Sequence, residues 1–186
     1  MINTMILVSG MPATGKTTFA KWLASEICAP LVSRGRVIEM YLEVSGANFE
    51  DEEQRRALGH IPSGLFWLFC EEIMKSSSPL IMEYIFNNQM KEEINRLTEK
   101  YKYQTINVHF DTSIEVAHRR FHERSESNPG VKGARPKEIP FENFEKGTKE
   151  IKNFRYGERI IYVDTTDFST VSYKDIVEQI HKFNNF

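Results

Sequence analysis

Apolar residues along the chain fall into short β-rich runs that alternate with stretches of helical period. Residues 4–9 form the first run. Residues 15–28 follow, with Phe19, Leu23 and Ile27 on one helical stripe. Residues 30–33 read as a short second strand, and 36–44 as a helix that stops near Ser45 and Gly46. Glu50, Asp51, Glu52 and Glu53 open a short acidic helix, because carboxylates stabilise the positive end of a helix dipole. Pro62 fits the first turn of the next helix, over 63–75. That helix carries Leu65, Phe66, Trp67, Leu68 and Phe69, so it reads as a core helix, apolar almost all round.

Residues 76–79 break the chain. Leu80, Ile81 and Met82 form a third strand with Glu83 at its end. Asn87 or Asn88 caps a helix running to about 100. Residues 105–110 are a fourth strand, and Thr112 or Ser113 caps a helix to about 125. The segment 127–140 is rich in Gly, Pro, Lys and Arg and reads as a loop. A short helix near 141–154, a fifth strand over 159–163 and a last helix over 173–183 complete the pattern. Strands separated by helices imply a parallel α/β sheet with helices on both faces. Without a linker or internal repeat, residues 1–186 read as one domain.

Between the first strand and the first helix stands Gly10-Met11-Pro12-Ala13-Thr14-Gly15-Lys16-Thr17-Thr18, a full match to the P-loop pattern G-x-x-x-x-G-K-[ST]. Glycines permit positive φ and close backbone approach. Successive N–H groups then point inward as an anion nest, and the helix that starts there adds its positive end. Lys16 supplies a charge for the β- and γ-phosphates of ATP, and the Thr17 hydroxyl suits a Mg²⁺ ligand. The GTPase motifs N-K-x-D and D-x-x-G are absent, as is the L-S-G-G-Q signature of ABC ATPases. The acidic strand ends in a single carboxylate, Glu83, and not in the Asp-Glu pair of an AAA+ motor. What remains is a small-kinase layout.

The chain resembles small-molecule kinases of the P-loop AAA-domain group, relatives of chloramphenicol phosphotransferase, gluconate kinase and the kinase domain of polynucleotide kinase. The resemblance runs from Met5 to the last helix. It rests on the P-loop, on Val32-Ser33-Arg34, on Ile81-Met82-Glu83 and on Arg119-Arg120-Phe121-His122-Glu123-Arg124. Ser127-Asn128-Pro129-Gly130 and Val163-Asp164-Thr165 add to it. It implies a sheet order of 2-3-1-4-5, with Arg120 and Arg124 as nucleotide and lid arginines. The two lie four apart, on one helix face, and guanidinium groups suit both phosphate forks and stacking on adenine. Residues 125–140, with Lys132, Gly133 and Arg135, look like a lid that closes over ATP. Glu83, at the carboxyl end of a central strand, is placed for a Mg²⁺-bound water. Asp164 and Thr165 follow the last strand, near the adenine in relatives; a strand-end turn capped by Asp is the other reading.

The pattern fails at one residue. The family reads Ser-Arg-Asp after the second strand, and that Asp is its general base; here the sequence is Ser33-Arg34-Gly35. Glu39, one helical turn beyond Gly35, is one substitute, and Glu83 serving both metal and acceptor is another. A nucleotide-binding regulatory module that transfers phosphate poorly or not at all is the third reading. Arg34, Gly35 and the segment to His60 would shape the acceptor pocket.

Composition narrows the partners. Across 186 residues the net charge is -2, so nothing favours a polyanion, and the basic residues near 132–137 lack the aromatic interleaving of a nucleic-acid face. A nucleic-acid end kinase is therefore the weaker alternative to a small-molecule kinase. No apolar run approaches a membrane span, and Met5-Ile6-Leu7-Val8 is too short, and lacks the basic flank, for a signal peptide. Cys28 and Cys70 read as buried, reduced thiols of a cytoplasmic protein. His118 and His122 lie four apart, but with no third ligand nearby and no Glu after His118 they read as surface or partly packed histidines.

Overall fold

The structure, a computed structural model, describes residues 3–46, 52–127 and 138–184. In chain order these form β1 (Thr4–Gly10), α1 (Lys16–Glu26), β2 (Leu31–Ser33), α2 (Arg34–Ser45), α3 (Glu52–Lys75), β3 (Leu80–Glu83) and α4 (Lys91–Tyr101). They continue with β4 (Gln104–Asp111), α5 (Ile114–Ser127), α6 (Phe141–Lys152), β5 (Ile160–Asp164) and α7 (Tyr173–Asn184). The strands make one sheet in the order β2-β3-β1-β4-β5, with every pairing parallel.

β1 lies at the centre, and all seven of its residues are buried. Alternation along the strands divides the core in two. Ile6 and Val8, with Ile106, Val108 and Phe110 beside them, pack on Phe19 and Leu23 of α1 and on Ile176 and Ile180 of α7. Met5, Leu7 and Met82 face the other way, onto Phe66, Cys70 and Met74 of α3, Ile94 and Leu97 of α4, and Phe154. Each fully buried side chain of this size contributes about 1.5–3 kcal/mol. Such packing holds β1 and β3 in a register that sets Val8 opposite Glu83, so the loop after β1 and the carboxylate of β3 emerge at one sheet edge.

Several expectations need correcting. The predicted acidic helix and the helix after Pro62 are a single helix, α3, with Pro62 inside it. Pro62 is buried on the same four-residue stripe as Phe66, Cys70 and Met74, and packing along that stripe offsets the hydrogen bond a proline cannot donate. Nor is α3 apolar all round in its burial, since Ile61, Leu68 and Phe69 are exposed on its far side. Helix α2 begins at Arg34, which puts Gly35 within its first turn. Asn87 does not cap α4 with its side chain, because a 3-10 turn over Asn88–Met90 intervenes. Ser113 does cap α5, its Oγ accepting the Val116 N–H at 3.2 Å. Cys28 is exposed, whereas Cys70 is buried. The chain leaves α1 with Cys28 at φ 51°, and the Ala29 N–H closes back on the Ala24 carbonyl, a Schellman turn that swings the thiol outward. Lys132, Gly133 and Arg135 lie outside the described residues.

One glycine has a steric necessity. Gly10 has φ 130°, and a Cβ there would stand 2.1 Å from the Phe110 carbonyl oxygen. Gly10→Ala is therefore expected to cost several kcal/mol, roughly the scale of forced backbone displacement in a packed core. Gly64→Ala is the counterpart: an added methyl in α3 meets nothing within 4 Å, so stability should rise by up to about 1 kcal/mol. Urea unfolding of the two variants checks both signs.

Candidate phosphate and phosphoryl-transfer site

The P-loop is built around its own lysine. Gly15 has φ 85°, and its carbonyl receives the Thr18 and Phe19 N–H groups at 3.1 Å, which starts α1. The Thr14 hydroxyl donates to the Met11 carbonyl at 2.8 Å. Lys16 Nζ donates to the same carbonyl and lies 3.4 Å from Thr14 Oγ1, so the loop wraps the ammonium. Met11 anchors the turn from below, packed with Ala117, Phe144 and Ile151. Burial pushes the Lys16 pKa down to about 8; Glu83 opposes that shift and Arg124 adds to it.

Beneath the loop, Ser9 is held in a buried polar chain. Its hydroxyl lies 2.7 Å from the Asn107 amide and 2.9 Å from His109 Nδ1. Arg155 approaches His109 Nε2 at 2.9 Å; a guanidinium can only donate, so Nε2 accepts and Nδ1 carries the hydrogen towards Ser9. Burial first, and the Arg155 charge second, hold the His109 pKa down to about 4, so this strut stays neutral.

Glu83 is buried at the end of β3, where Thr17 Oγ1 donates to Oε1 at 3.2 Å and Ser33 Oγ donates to Oε2 at 2.5 Å. Ser33 stands at the N-cap of α2 but gives its hydroxyl to Glu83 instead of capping the helix. The Thr17 hydroxyl and the Glu83 carboxylate form an oxygen donor pair that fits Mg²⁺, an ion that keeps most of its shell as water and phosphate oxygen.

These groups line a cavity of about 530 Å³. Pro12 to Thr18 form its floor; Ser33, Gly35, Arg36 and Glu39 form one wall, and Ile85, Phe121 and Arg124 another. Glu39 pairs with Arg36 at 2.6 Å. A Cβ added at Gly35 would meet only Ser33 Oγ, at 3.7 Å. Arg34 takes no part in this wall: its Nε donates to Ser63 Oγ at 3.2 Å and its guanidinium lies 4.7 Å over the Tyr84 ring. His60 is exposed on α3, away from the cavity lining.

The two arginines of α5 reach different places. Arg124 lines the cavity beside Lys16, while Arg120 donates to the Thr165 and Thr166 carbonyls at 2.6 and 2.9 Å. Arg120 also stacks over Phe168, 4.0 Å from the ring centroid. Thr165 is buried, its N–H and hydroxyl both on the Asp111 carbonyl, and Asp164 accepts the Thr166 N–H at 2.8 Å, so Asp164 closes a turn. Phe168 lies against Gly15 and, with Thr18, Phe110, Val171 and Tyr173, borders a second hollow of about 270 Å³ beside the P-loop. Sequence reasoning missed Phe168, Phe121, Ile85 and Lys21 as lining residues; only the fold brings them to the loop. It quoted Ser33 within a motif without a role.

A sequence model of the AAA domain family matches residues 6–150, and the chain belongs to that family. Among solved structures, a candidate kinase from Chloroflexus aurantiacus j-10-fl is 24% identical with a TM-score of 0.83, covering 98% of each chain. A gluconokinase from Sinorhizobium meliloti 1021 is 14% identical with a TM-score of 0.57, over 96% of this chain and 89% of that one. A chain of the Pnkp1/Rnl/Hen1 RNA repair complex is 17% identical with a TM-score of 0.60; the match covers 82% of this chain but 45% of that one. These likenesses identify a P-loop kinase-like fold. Among the described residues, no helix is long and apolar enough to cross a membrane.

The position of Lys16 makes phosphate binding a proton-linked event. Bound phosphate would raise the Lys16 pKa from its free value of about 8, so affinity holds below pH 8 and falls as pH rises through the bound-state value. At about pH 8.5, half a unit above the free value, binding of MgADP should take up protons. Calorimetry in two buffers of different ionisation enthalpy checks this. The heats should differ for the native chain and coincide for Lys16→Met.

Proposed function

We propose that this AAA-domain chain is an ATP-dependent phosphotransferase that moves the γ-phosphate of Mg-ATP to a hydroxyl of a small-molecule acceptor. One observation carries the reading: a phosphate-binding lysine, an oxygen donor pair for a hard cation and a further carboxylate, Glu39, line a single cavity. Lys16 and the loop N–H groups hold the β- and γ-phosphates, with Thr17 and Glu83 on the metal. Bound Mg²⁺ would neutralise charge on the β- and γ-oxygens. Arg124 faces the transferring group, and Arg120, Phe168 and the turn at Thr165 hold the base end by stacking and shape.

The acceptor enters against Ser33, Gly35 and Glu39. Its hydroxyl oxygen bonds to the γ-phosphorus, the bond from phosphorus to the β-γ bridging oxygen breaks, and ADP leaves with that electron pair. The hydroxyl proton passes to a carboxylate. Glu83 already accepts from Thr17 and Ser33, which suits it to the metal and leaves Glu39, on the acceptor wall, as the proton acceptor. A small-molecule acceptor accords with the net charge of -2.

Gly35 supports a second reading, a nucleotide-binding regulatory module. The space beside Gly35 admits a side chain, so the missing aspartate is a chemical gap and not a steric requirement. ADP release from Mg-ATP, alone and with nucleosides, sugars, antibiotics and nucleic-acid ends, separates the readings. Stimulation by a hydroxyl acceptor, lost in Lys16→Ala, is the expected result. Glu39→Gln should then lower kcat about 10²–10⁴-fold with KM for ATP little changed, the usual worth of a general base. Glu83→Gln should raise the Mg²⁺ requirement. Native rates in both carboxamide variants sink the assignments, and intact ATP binding without stimulation by any acceptor moves the reading to the regulatory module. In that case Gly35→Asp should gain transfer.

A further inference from the structure

Away from the nucleotide cavity, α5 turns a pair of imidazoles towards the chain entering α6. His118 Nε2 lies 2.8 Å from the main-chain carbonyl oxygen of Ile139, and His122 Nε2 lies 3.1 Å from the same oxygen. The two nitrogens are 3.0 Å apart. Three atoms that each carry a lone pair thus form a nearly equilateral triangle. The third corner, invisible to any side-chain pattern, belongs to the backbone.

Packing holds the rings in this arrangement. Phe141 and Phe144 meet His118 edge-on at 5.4 and 5.2 Å, and Phe121 meets His122 at 5.8 Å. The imidazoles stand at 69° to each other, not stacked. Hydrogen bonding uses the triangle poorly. A neutral imidazole carries one hydrogen. If both Nε2 atoms hold it, both N–H groups turn to one oxygen; if only one does, that hydrogen is shared between the oxygen and the lone pair of the other imidazole.

With both ring hydrogens on Nδ1 instead, each of the three corners has a lone pair to offer a single cation. An ion about 2.1 Å from each corner, the usual metal–imidazole distance, would sit roughly 1.2 Å above their plane. Its ligand–metal–ligand angles would lie near about 90°, one face of an octahedron or square pyramid. We propose that His118, His122 and the Ile139 carbonyl form a facial site for a late divalent transition metal, Zn²⁺, Ni²⁺ or Cu²⁺. Imidazole nitrogens select these ions over Mg²⁺, so this centre is chemically separate from the Thr17–Glu83 pair. Among the described residues no three His, Cys, Asp or Glu side chains gather, so the third ligand here is the backbone oxygen. The ion would tie α5, which carries Arg120 and Arg124, to the entrance of α6. The site stands on its own geometry and does not depend on the phosphotransferase reading.

The experiment titrates the untagged, chelator-stripped chain with Zn²⁺, Ni²⁺ and Cu²⁺ by calorimetry, and records the electron paramagnetic resonance spectrum of the Cu²⁺ form. One equivalent should bind, tightest for Cu²⁺, and the spectrum should show coupling to two imidazole nitrogens. His118→Ala and His122→Ala should each weaken binding at least about tenfold. A His60→Ala, His181→Ala double variant, which alters exposed histidines of α3 and α7, should bind as the native chain does. Failure of the native chain to bind at millimolar metal, binding that survives both α5 substitutions, or a native Cu²⁺ spectrum without two-nitrogen coupling overturns the site. The spectrum needs no variant, so it decides the question even if a substitution unfolds the chain.

Discussion

Everything at the nucleotide end depends on how closely two backbones approach. Gly10 closes β1 against the carbonyl of Phe110, nearer than any side chain permits. That contact sets the height at which the P-loop leaves the sheet, and so where its N–H groups and Lys16 converge. The same height puts Thr17 within hydrogen-bond reach of Glu83, which a neighbouring strand delivers independently. In the buried chain from Arg155 through His109 to Ser9, a neutral imidazole stands between the guanidinium and the strand that carries the loop. Phosphoryl transfer asks chiefly for positioned charge, and here the positioning begins with a missing Cβ.

Much of this was legible in the sequence because it follows from local rules. Alternating runs gave the strands, the P-loop spacing gave the cradle, and the sheet has the order that the family resemblance implied. The misreadings share a cause, namely that contacts distant in sequence overrode a local signal. Pro62 reads as a helix start until its ring is seen buried in line with Phe66 and Cys70. Leu68 and Phe69 read as core until α3 is seen to bury one stripe only. The motif around Arg34 likewise said nothing of Tyr84, over whose ring its guanidinium lies. Phe168 carries no periodic signal at all, and its place against Gly15 and Arg120 exists only once β5 lies beside β4.

The cavity holds two carboxylates in different settings. Glu83 is buried and held by two hydroxyl groups, as suits a group that must keep one geometry. Glu39 stands a helical turn into α2, paired with an exposed arginine, Arg36. Arg120 and Arg124 also part company, one bonded to the turn after β5 and one lining the cavity with Lys16. Since α5 carries both, a change in its tilt would move both guanidinium groups together.

Strand β2 passes into α2 without a loop, for Ser33 ends one and Arg34 begins the other. An inserted residue at this junction would rotate α2 by about 100° and turn Glu39 and Gly35 out of the cavity. It would also unseat the hydroxyl that Glu83 relies on. This wall of the cavity is therefore free to diversify by exchange of side chains, while changes of chain length are barred at that point. Chains that share this junction should differ here in residue identity at constant spacing.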